Sequence, residues 1–193
     1  VGYDIYSPQG KLLEFNMQEV TIPGRSTDTV RFTPFIYGTN ANKWEPGAKN
    51  PPLYKVMLFT RRDGAYREYM PLKIGFGKTE LVDGRLTRFD KELKLVKAGY
   101  NAAADRKTTL AELKALKAKG NNTICPDYPQ PGWFYDLCDE LGLYVIDCAN
   151  INAPEKRDDR KVGGTPSNDP SLADEYLERV KAMYYRSRNF TCV

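Results

Sequence analysis

Strand-like and helix-like apolar patterns alternate along the second half of this chain, and this alternation constrains its fold more than any other feature. Short apolar runs that are typical of buried strands occur at Leu93–Gly99, Asn121–Cys125 and Leu143–Ile146. Helical patterns follow them at Thr109–Lys119, Trp133–Leu141 and Leu172–Tyr184. Strands that alternate with helices predict a parallel sheet covered by helices. Periodicity alone does not choose between a closed barrel and an open doubly wound sheet.

Helix boundaries are marked by local signals. Thr109 and Glu112 have the spacing of a capping box, which predicts a helix start there. Gly120 and Gly142 follow helical runs and predict left-handed C-terminal caps. Asp169-Pro170 offers a cap and a first-turn proline for the last helix, and Cys192-Val193 is predicted to begin another strand.

The first part of the chain has the pattern of an all-β unit. Asp63-Gly64 separates two strand-like runs and predicts a hairpin. The predicted strands are Tyr3–Tyr6, Val20–Ile22, Thr29–Phe35, Leu53–Thr60, Tyr66–Tyr69 and Leu72–Phe76. Short strands at this spacing predict an immunoglobulin-like sandwich over residues 1–82, shorter than the usual ~100 residues. The pattern changes near Asp83-Gly84, so residues 83–193 are predicted to be a second unit.

Composition removes several classes of function. The net charge is only +4 and is scattered, so no nucleic-acid partner is expected. No apolar run approaches ~20 residues, so no membrane span is expected. The chain has no histidine, which removes the usual catalytic triads and most zinc sites. The four cysteines lack paired metal spacing, which favours buried free thiols, although a disulfide stays open.

No cofactor or metal is predicted. The stretch after the first strand of the second unit, GYNAAADRKTT, is not a glycine-rich phosphate loop, so a dinucleotide site is disfavoured.

The stretch WFYDLCDELGLYVID followed by CANI, residues 133–151, resembles glycoside hydrolase family 2, the β-galactosidase, β-glucuronidase and β-mannosidase group. Further similar segments are Lys43–Pro46, Ile74–Phe76, Asn168–Pro170 and Arg188–Val193. The resemblance implies an all-β immunoglobulin-like sandwich followed by the first βα units of a TIM (β/α)8 barrel. It also implies hydrolysis of O-glycosidic bonds.

The departures from the family pattern cluster at one rim. The family has arginine and histidine where this chain has Ala102 and Ala103, and a histidine where it has Asp127. Cys148 replaces a glutamate, and with no histidine in the chain it is a poor candidate nucleophile. Asn152 and Pro154 stand where β-galactosidases have magnesium ligands.

By position, the resemblance assigns sugar binding to four residues, Asn101, Asp127, Asp147 and Asn150. It assigns no catalytic residue, because the two glutamates of the family follow barrel strands four and seven, beyond Val193. The sequence is therefore expected to be a segment of a longer protein. Trp133 has two interpretations, a sugar-stacking residue or a packed helix-start residue.

Two functions follow. The first is a segment of a β-galactosidase-like glycosidase. The alternative is a non-catalytic relative, a pseudoenzyme that binds carbohydrate or holds neighbouring domains. A β-linked saccharide is the expected partner, and self-association through the edges of the partial barrel is a second expectation. The resemblance assigns no compartment, since the family has both cytoplasmic and exported members.

Overall fold

An antiparallel sheet forms the N-terminal part of the molecule. The computed structural model describes residues 1–151 and 168–193, and its first sheet has the strand order β2-β1-β3-β4. These strands are β1 (Gly2–Tyr6), β2 (Leu12–Met17), β3 (Tyr54–Arg62) and β4 (Ala65–Ile74). Asp63 and Gly64 have φ angles of 53° and 77°. Positive φ at both central residues is what a type I′ turn requires, so the hairpin predicted here is confirmed.

Three of the predicted strands were wrong. Val20–Ile22 and Thr29–Phe35 form no strand. In the second segment, Pro34 has no N–H to donate, and the N–H of Phe35 donates to the Glu14 side chain at 3.3 Å. Leu72–Phe76 is not a separate strand, because its first residues continue β4 through Pro71. A proline is tolerated there because β4 is an edge strand.

A small second sheet was not predicted. It has the order β5-β6-β7, with β5 (Thr79–Val82), β6 (Arg85–Arg88) and β7 (Lys91–Glu92). Asp83 and Gly84, with φ of 48° and 75°, form the turn between its first two strands. The strands carry many charged and exposed residues, so no apolar pattern marks them. The division at residues 82 and 83 falls at this turn and stays a prediction.

The second half contains the predicted parallel sheet, in the order β10-β9-β8. Its strands are β8 (Lys97–Tyr100), β9 (Thr123–Pro126) and β10 (Tyr144–Val145), and its helices are α1 (Arg106–Ala118), α2 (Gly132–Leu141) and α3 (Ala173–Ser187). Each helix follows one strand along the chain, which confirms the strand-helix alternation. The predicted first strand, Leu93–Gly99, starts too early, since β8 begins at Lys97. Beyond α3, Cys192-Val193 does not lie in a strand, contrary to the prediction, although the carbonyl of Cys192 accepts a hydrogen bond from the Val145 N–H at 2.8 Å.

The helix ends follow the local signals in most places. Gly120 and Gly142 have φ of 92° and 68° and confirm the predicted left-handed caps. Asp169 caps a short 3-10 turn, Pro170–Leu172, that leads into α3. The capping box at Thr109 was wrong, because Asp105 caps α1 by accepting two first-turn N–H groups. Thr109 lies in the helix after its first residues and is fully buried, so it is not the capping residue.

The core of the parallel sheet extends to a residue from the N-terminal part, Trp44. Its buried members are Trp44, Leu113, Ile124, Phe134, Tyr135, Leu137, Cys138, Leu143, Val145 and Cys192. The indole Nε1 of Trp44 donates to the Asp139 carbonyl at 2.8 Å, and its ring meets Tyr144 edge-on at 5.4 Å. The N-terminal part is therefore packed into the same core as the helices. Of the helices in the described ranges, none combines the length and apolar character of a membrane span.

Candidate functional site

Residues that follow the three parallel strands leave the sheet at one edge. Tyr100 pairs with Pro126 in register, and the Asp127 N–H donates to the Tyr100 carbonyl at 2.9 Å. The Ile146 N–H likewise continues the ladder to Ile124 at 2.9 Å. The segments that begin at residues 101, 127 and 146 therefore form a common rim at the carboxyl ends of the strands. Barrel enzymes carry their active sites at this end.

The Asp147 carboxylate is held by two side chains from different helices. The Tyr135 hydroxyl donates to Asp147 Oδ1 at 2.7 Å, and Arg186 Nη2 donates to Oδ2 at 2.9 Å. The same Arg186 nitrogen lies 3.0 Å from the Tyr135 oxygen, to which it also donates. The Asp147 side chain is only 4% exposed. Both of its oxygens are thus used within the protein.

Tyr135 stays a neutral donor in this cluster. Burial, together with the hydrogen bond to Asp147, raises the pKa of Tyr135 to about 12. Its ring stacks on Phe190, with centroids 4.9 Å apart and planes 22° apart, and the Arg186 guanidinium lies 5.6 Å from its centroid. Packing therefore fixes the position of the hydroxyl that holds Asp147.

Gln130 braces the first two rim segments. Its side-chain Nε2 donates to the carbonyls of Asn101, at 3.1 Å, and Tyr128, at 2.7 Å. Its Oε1 accepts the Ala103 N–H at 2.8 Å. The side chain is buried, so these bonds replace water and order the loop that carries Asn101.

Asp127 and Cys148 lie within electrostatic reach of each other. Burial is the main cause that raises the pKa of the Cys148 thiol, and Asp147 and Asp127 raise it further, while Arg186 opposes them. A raised pKa keeps the thiol protonated, which is the opposite of an activated nucleophile. Asp127 itself is exposed, so its carboxylate faces solvent at the rim.

The other two predicted residues, Asn101 and Asn150, are also exposed. The carbonyl of Asn150 accepts a hydrogen bond from Arg179 Nη1 of α3 at 2.6 Å. Asn152 and Pro154 lie outside the described residues. Within residues 1–151 and 168–193, no three acidic, cysteine or histidine side chains converge as metal ligands.

A cleft of about 1090 Å³ lies between the β3–β4 face and the outer side of α2. Its lining includes Met57, Leu72, Trp133 and Phe190. Arg186 also lines it and donates to Asp147 at the rim. None of the four predicted binding residues is among its described lining residues. The half-buried Trp133 therefore faces this cleft and also packs against the core.

Sequence reasoning did not identify Gln130, Tyr135 or Arg186 as rim residues. Tyr135 stands inside the recognised motif, but nothing local shows that its hydroxyl reaches Asp147. Arg186 is 39 residues from Asp147, so the pair depends on how α3 packs.

Comparison with known proteins connects this arrangement to glycosidases. Residues 100–193 match the model of the TIM barrel domain of glycosyl hydrolases family 2. A β-galactosidase of Lactobacillus delbrueckii subsp. bulgaricus is 31% identical over 163 residues, which cover 76% of this chain and 16% of the relative. A β-galactosidase of Pseudoalteromonas haloplanktis is 29% identical over 194 residues, which cover 95% of this chain and 18% of the relative. The chain thus spans less than one fifth of the length of these curated relatives.

Solved structures share the fold at low sequence identity. A β-glucuronidase from Parabacteroides merdae superposes with a TM-score of 0.73 and 20% identity, over 100% of this chain and 24% of the other. A β-glucuronidase from Ruminococcus gnavus in complex with D-glucuronic acid gives 0.74 and 16%, over 100% of this chain and 30% of the other.

Proposed function

The chain belongs to glycoside hydrolase family 2, and we propose from this membership that it is a segment of a β-glycosidase that hydrolyses O-glycosidic bonds in a β-galactosidase-like manner. The observation that carries the proposal is the rim, where three successive parallel strands deliver polar residues to one edge. Retaining glycosidases need two carboxyl groups about 5–5.5 Å apart. Under this proposal, both carboxyl groups lie elsewhere in the full-length protein, and this segment contributes sugar contacts.

Asp127 is the first of these contacts. Its carboxylate is exposed, whereas that of Asp147 is held by Tyr135 and Arg186. Carboxylate and amide groups suit sugar hydroxyls, because they accept and donate hydrogen bonds in fixed directions. Asn101 and Asn150 supply amides on either side, and Asp147 acts by ordering the rim.

The proposed architecture keeps the sequence-based division. Residues 1–82 form a short immunoglobulin-like β-unit, and residues 83–193 form the first part of a TIM barrel. The antiparallel sheet β2-β1-β3-β4 supports the first assignment, and the match that begins at residue 100 supports the second.

The experiment is turnover of chromogenic β-galactosides and β-glucuronides by the full-length protein that contains this segment. Asp127→Asn keeps the size of the side chain and removes its charge. We expect the KM to rise about 10-fold, since hydrogen bonds to charged groups contribute about 1.5–3 kcal/mol. The matched control is Asp83→Asn, an exposed turn aspartate outside the rim, which should leave KM unchanged. An unchanged KM in Asp127→Asn would remove Asp127 from the site.

A second candidate is a non-catalytic carbohydrate-binding relative. Two observations favour it: both oxygens of the Asp147 carboxylate accept hydrogen bonds within the protein, and the raised pKa of Cys148 keeps its thiol protonated. It predicts that the full-length protein binds galactose or glucuronate in calorimetry without any turnover. Turnover that is abolished by a mechanism-based glycosidase inactivator excludes it.

A further inference from the structure

Asp139 is a buried carboxylate that the rim does not use. It lies in the last turn of α2 and is 2% exposed. A carboxylate near a helix C-terminus is unfavourable with respect to the helix dipole, and burial adds a desolvation cost. A residue kept there under both penalties needs compensating contacts.

The compensating contacts come from a segment more than 50 residues away in sequence. The Cys192 N–H donates to Asp139 Oδ1 at 2.7 Å, and the Thr191 N–H donates to Oδ2 at 3.2 Å. The carbonyl of Cys192 accepts from the Val145 N–H at 2.8 Å. The segment Thr191–Val193 is therefore hydrogen-bonded on two sides, to the Asp139 side chain and to the backbone of β10.

The N-terminal part reaches the same point. Trp44 Nε1 donates to the Asp139 carbonyl at 2.8 Å, and the Gly75 N–H donates to the Thr191 hydroxyl at 2.7 Å. A Cβ atom on Gly75 would lie 2.6 Å from Thr191 and 2.7 Å from Trp44. The segment is therefore packed closely against the N-terminal part at Gly75.

We infer that Asp139 is a positioning residue that sets the register of Thr191–Val193 beside β10 and couples that register to the N-terminal part through Trp44 and Gly75. A slip of one residue in a strand turns every side chain to the opposite face. An error at 191 and 192 would therefore misplace this segment beside β10 and, under the proposed function, disturb the rim and lower turnover. This catalytic consequence rests on the proposed function, whereas the register itself does not.

The geometry requires a carboxylate of this length. Each oxygen accepts one N–H, so Asp139→Asn places an amide NH2 group against one of two N–H donors. Asp139→Glu retains both acceptors but adds a methylene in a fully packed site. Glu140→Gln is the matched control, because it makes the same chemical change at the next position, where the side chain is 35% exposed and pairs with Lys73.

The test is amide hydrogen exchange on the full-length protein, combined with kinetics. We expect Asp139→Asn to raise exchange in a peptide that covers 188–193 by about 10-fold or more relative to α1, the size of a lost hydrogen bond to a charged group. It should lower kcat with little change in KM, Asp139→Glu should recover part of kcat, and Glu140→Gln should change neither readout. Exchange that rises equally in the 188–193 peptide and in α1 overturns the inference, because Asp139 would then contribute only to general stability. Exchange that does not rise at all also overturns it.

A second variant covers the case in which Asp139→Asn does not fold. Thr191→Val is isosteric and removes only the acceptor of the Gly75 N–H. It should raise exchange selectively at 75 and at 191–193, and uniform exchange would again overturn the coupling. A wild-type protein without turnover would refute the proposed function, but the exchange result would still decide the positioning role.

Discussion

Trp44 should contribute more to the stability of this chain than any surface residue, because it joins the N-terminal part to the barrel core. Its side chain is 0% exposed, and truncation of a buried tryptophan to alanine costs about 3–5 kcal/mol. Trp44→Ala also leaves the Asp139 carbonyl without its indole donor. Since domains unfold with about 5–15 kcal/mol in total, this variant should lose about a fifth or more of the free energy of unfolding.

Trp44→Phe separates packing from hydrogen bonding. It keeps an aromatic ring in the core but removes Nε1, so we expect a smaller loss of about 1–3 kcal/mol, the cost of an unsatisfied buried acceptor. The control is Tyr37→Ala, a residue that is 84% exposed, with an expected change within about 0.5 kcal/mol.

The assay is urea unfolding followed by circular dichroism and by tryptophan fluorescence. The chain has two tryptophans, so the Trp44 variants report through Trp133 alone. Both probes should shift to lower urea together. A loss below about 1 kcal/mol in Trp44→Ala, or equal losses in the two Trp44 variants, would refute the idea that Trp44 links the two parts through packing and a hydrogen bond.

Three further predictions concern single sites. Burial raises the pKa of Asp139 to about 6 from 3.8, so the native state binds the proton more tightly than the unfolded chain. Stability should therefore fall by about 3 kcal/mol as pH rises from about 4 to about 6, and Asp139→Asn should remove this slope in urea titrations across that range. Asp105→Ala removes the cap of α1 and should cost about 1 kcal/mol by the same assay, and Asp105→Asn, which also caps well, should cost much less. Gly77→Ala would bring a Cβ to 1.7 Å from the Arg88 guanidinium, which donates to Thr79 and to the Trp44 carbonyl, so it should cost about 1–3 kcal/mol, and an unchanged thermal melt would contradict the claim that Arg88 is fixed in place.

The parts of the fold that the sequence predicted are those with local causes. Gly120 and Gly142 end helices because a left-handed residue is needed at each place, and that need is visible in a few neighbouring letters. The failure at Thr109 has the opposite cause. Two capping residues stand close together, and only burial of Thr109 against the core decides that Asp105 begins the helix.

The predicted strand Thr29–Phe35 failed because alternation does not show whether a pairing strand exists. Its residues are mostly exposed, and Phe32 meets Tyr3 edge-on at 5.0 Å without joining the sheet. Strand pairing is a long-range property, and a short alternating run contains no information about its partner.

The same distinction between local and long-range causes applies to the candidate site. The sequence could predict that residues 101, 127 and 147 share one edge, since parallel strands with helices between them end on the same side. It could not predict that Asp147 is already bonded, because Tyr135 and Arg186 come from two helices that meet only after folding. Gln130 was missed for the same reason, because its side chain bonds the carbonyls of Asn101 and Tyr128, two segments that meet only after folding.

The internal hydrogen bonds of Asp147 limit the chemical roles of the rim under the proposed function. The Asp147 carboxylate, whose two oxygens both accept internal hydrogen bonds, orders the rim, and the neighbouring Cys148 thiol is held protonated and is not an activated nucleophile. The groups left to meet a sugar are the exposed Asp127 and the exposed amides of Asn101 and Asn150. Such groups discriminate between hydroxyl arrangements, because a mismatched hydroxyl leaves a donor or acceptor unpaired. Under the proposed function, the part of the rim within this segment therefore serves substrate selection, and the carboxyl groups that accelerate the reaction come from other parts of the protein.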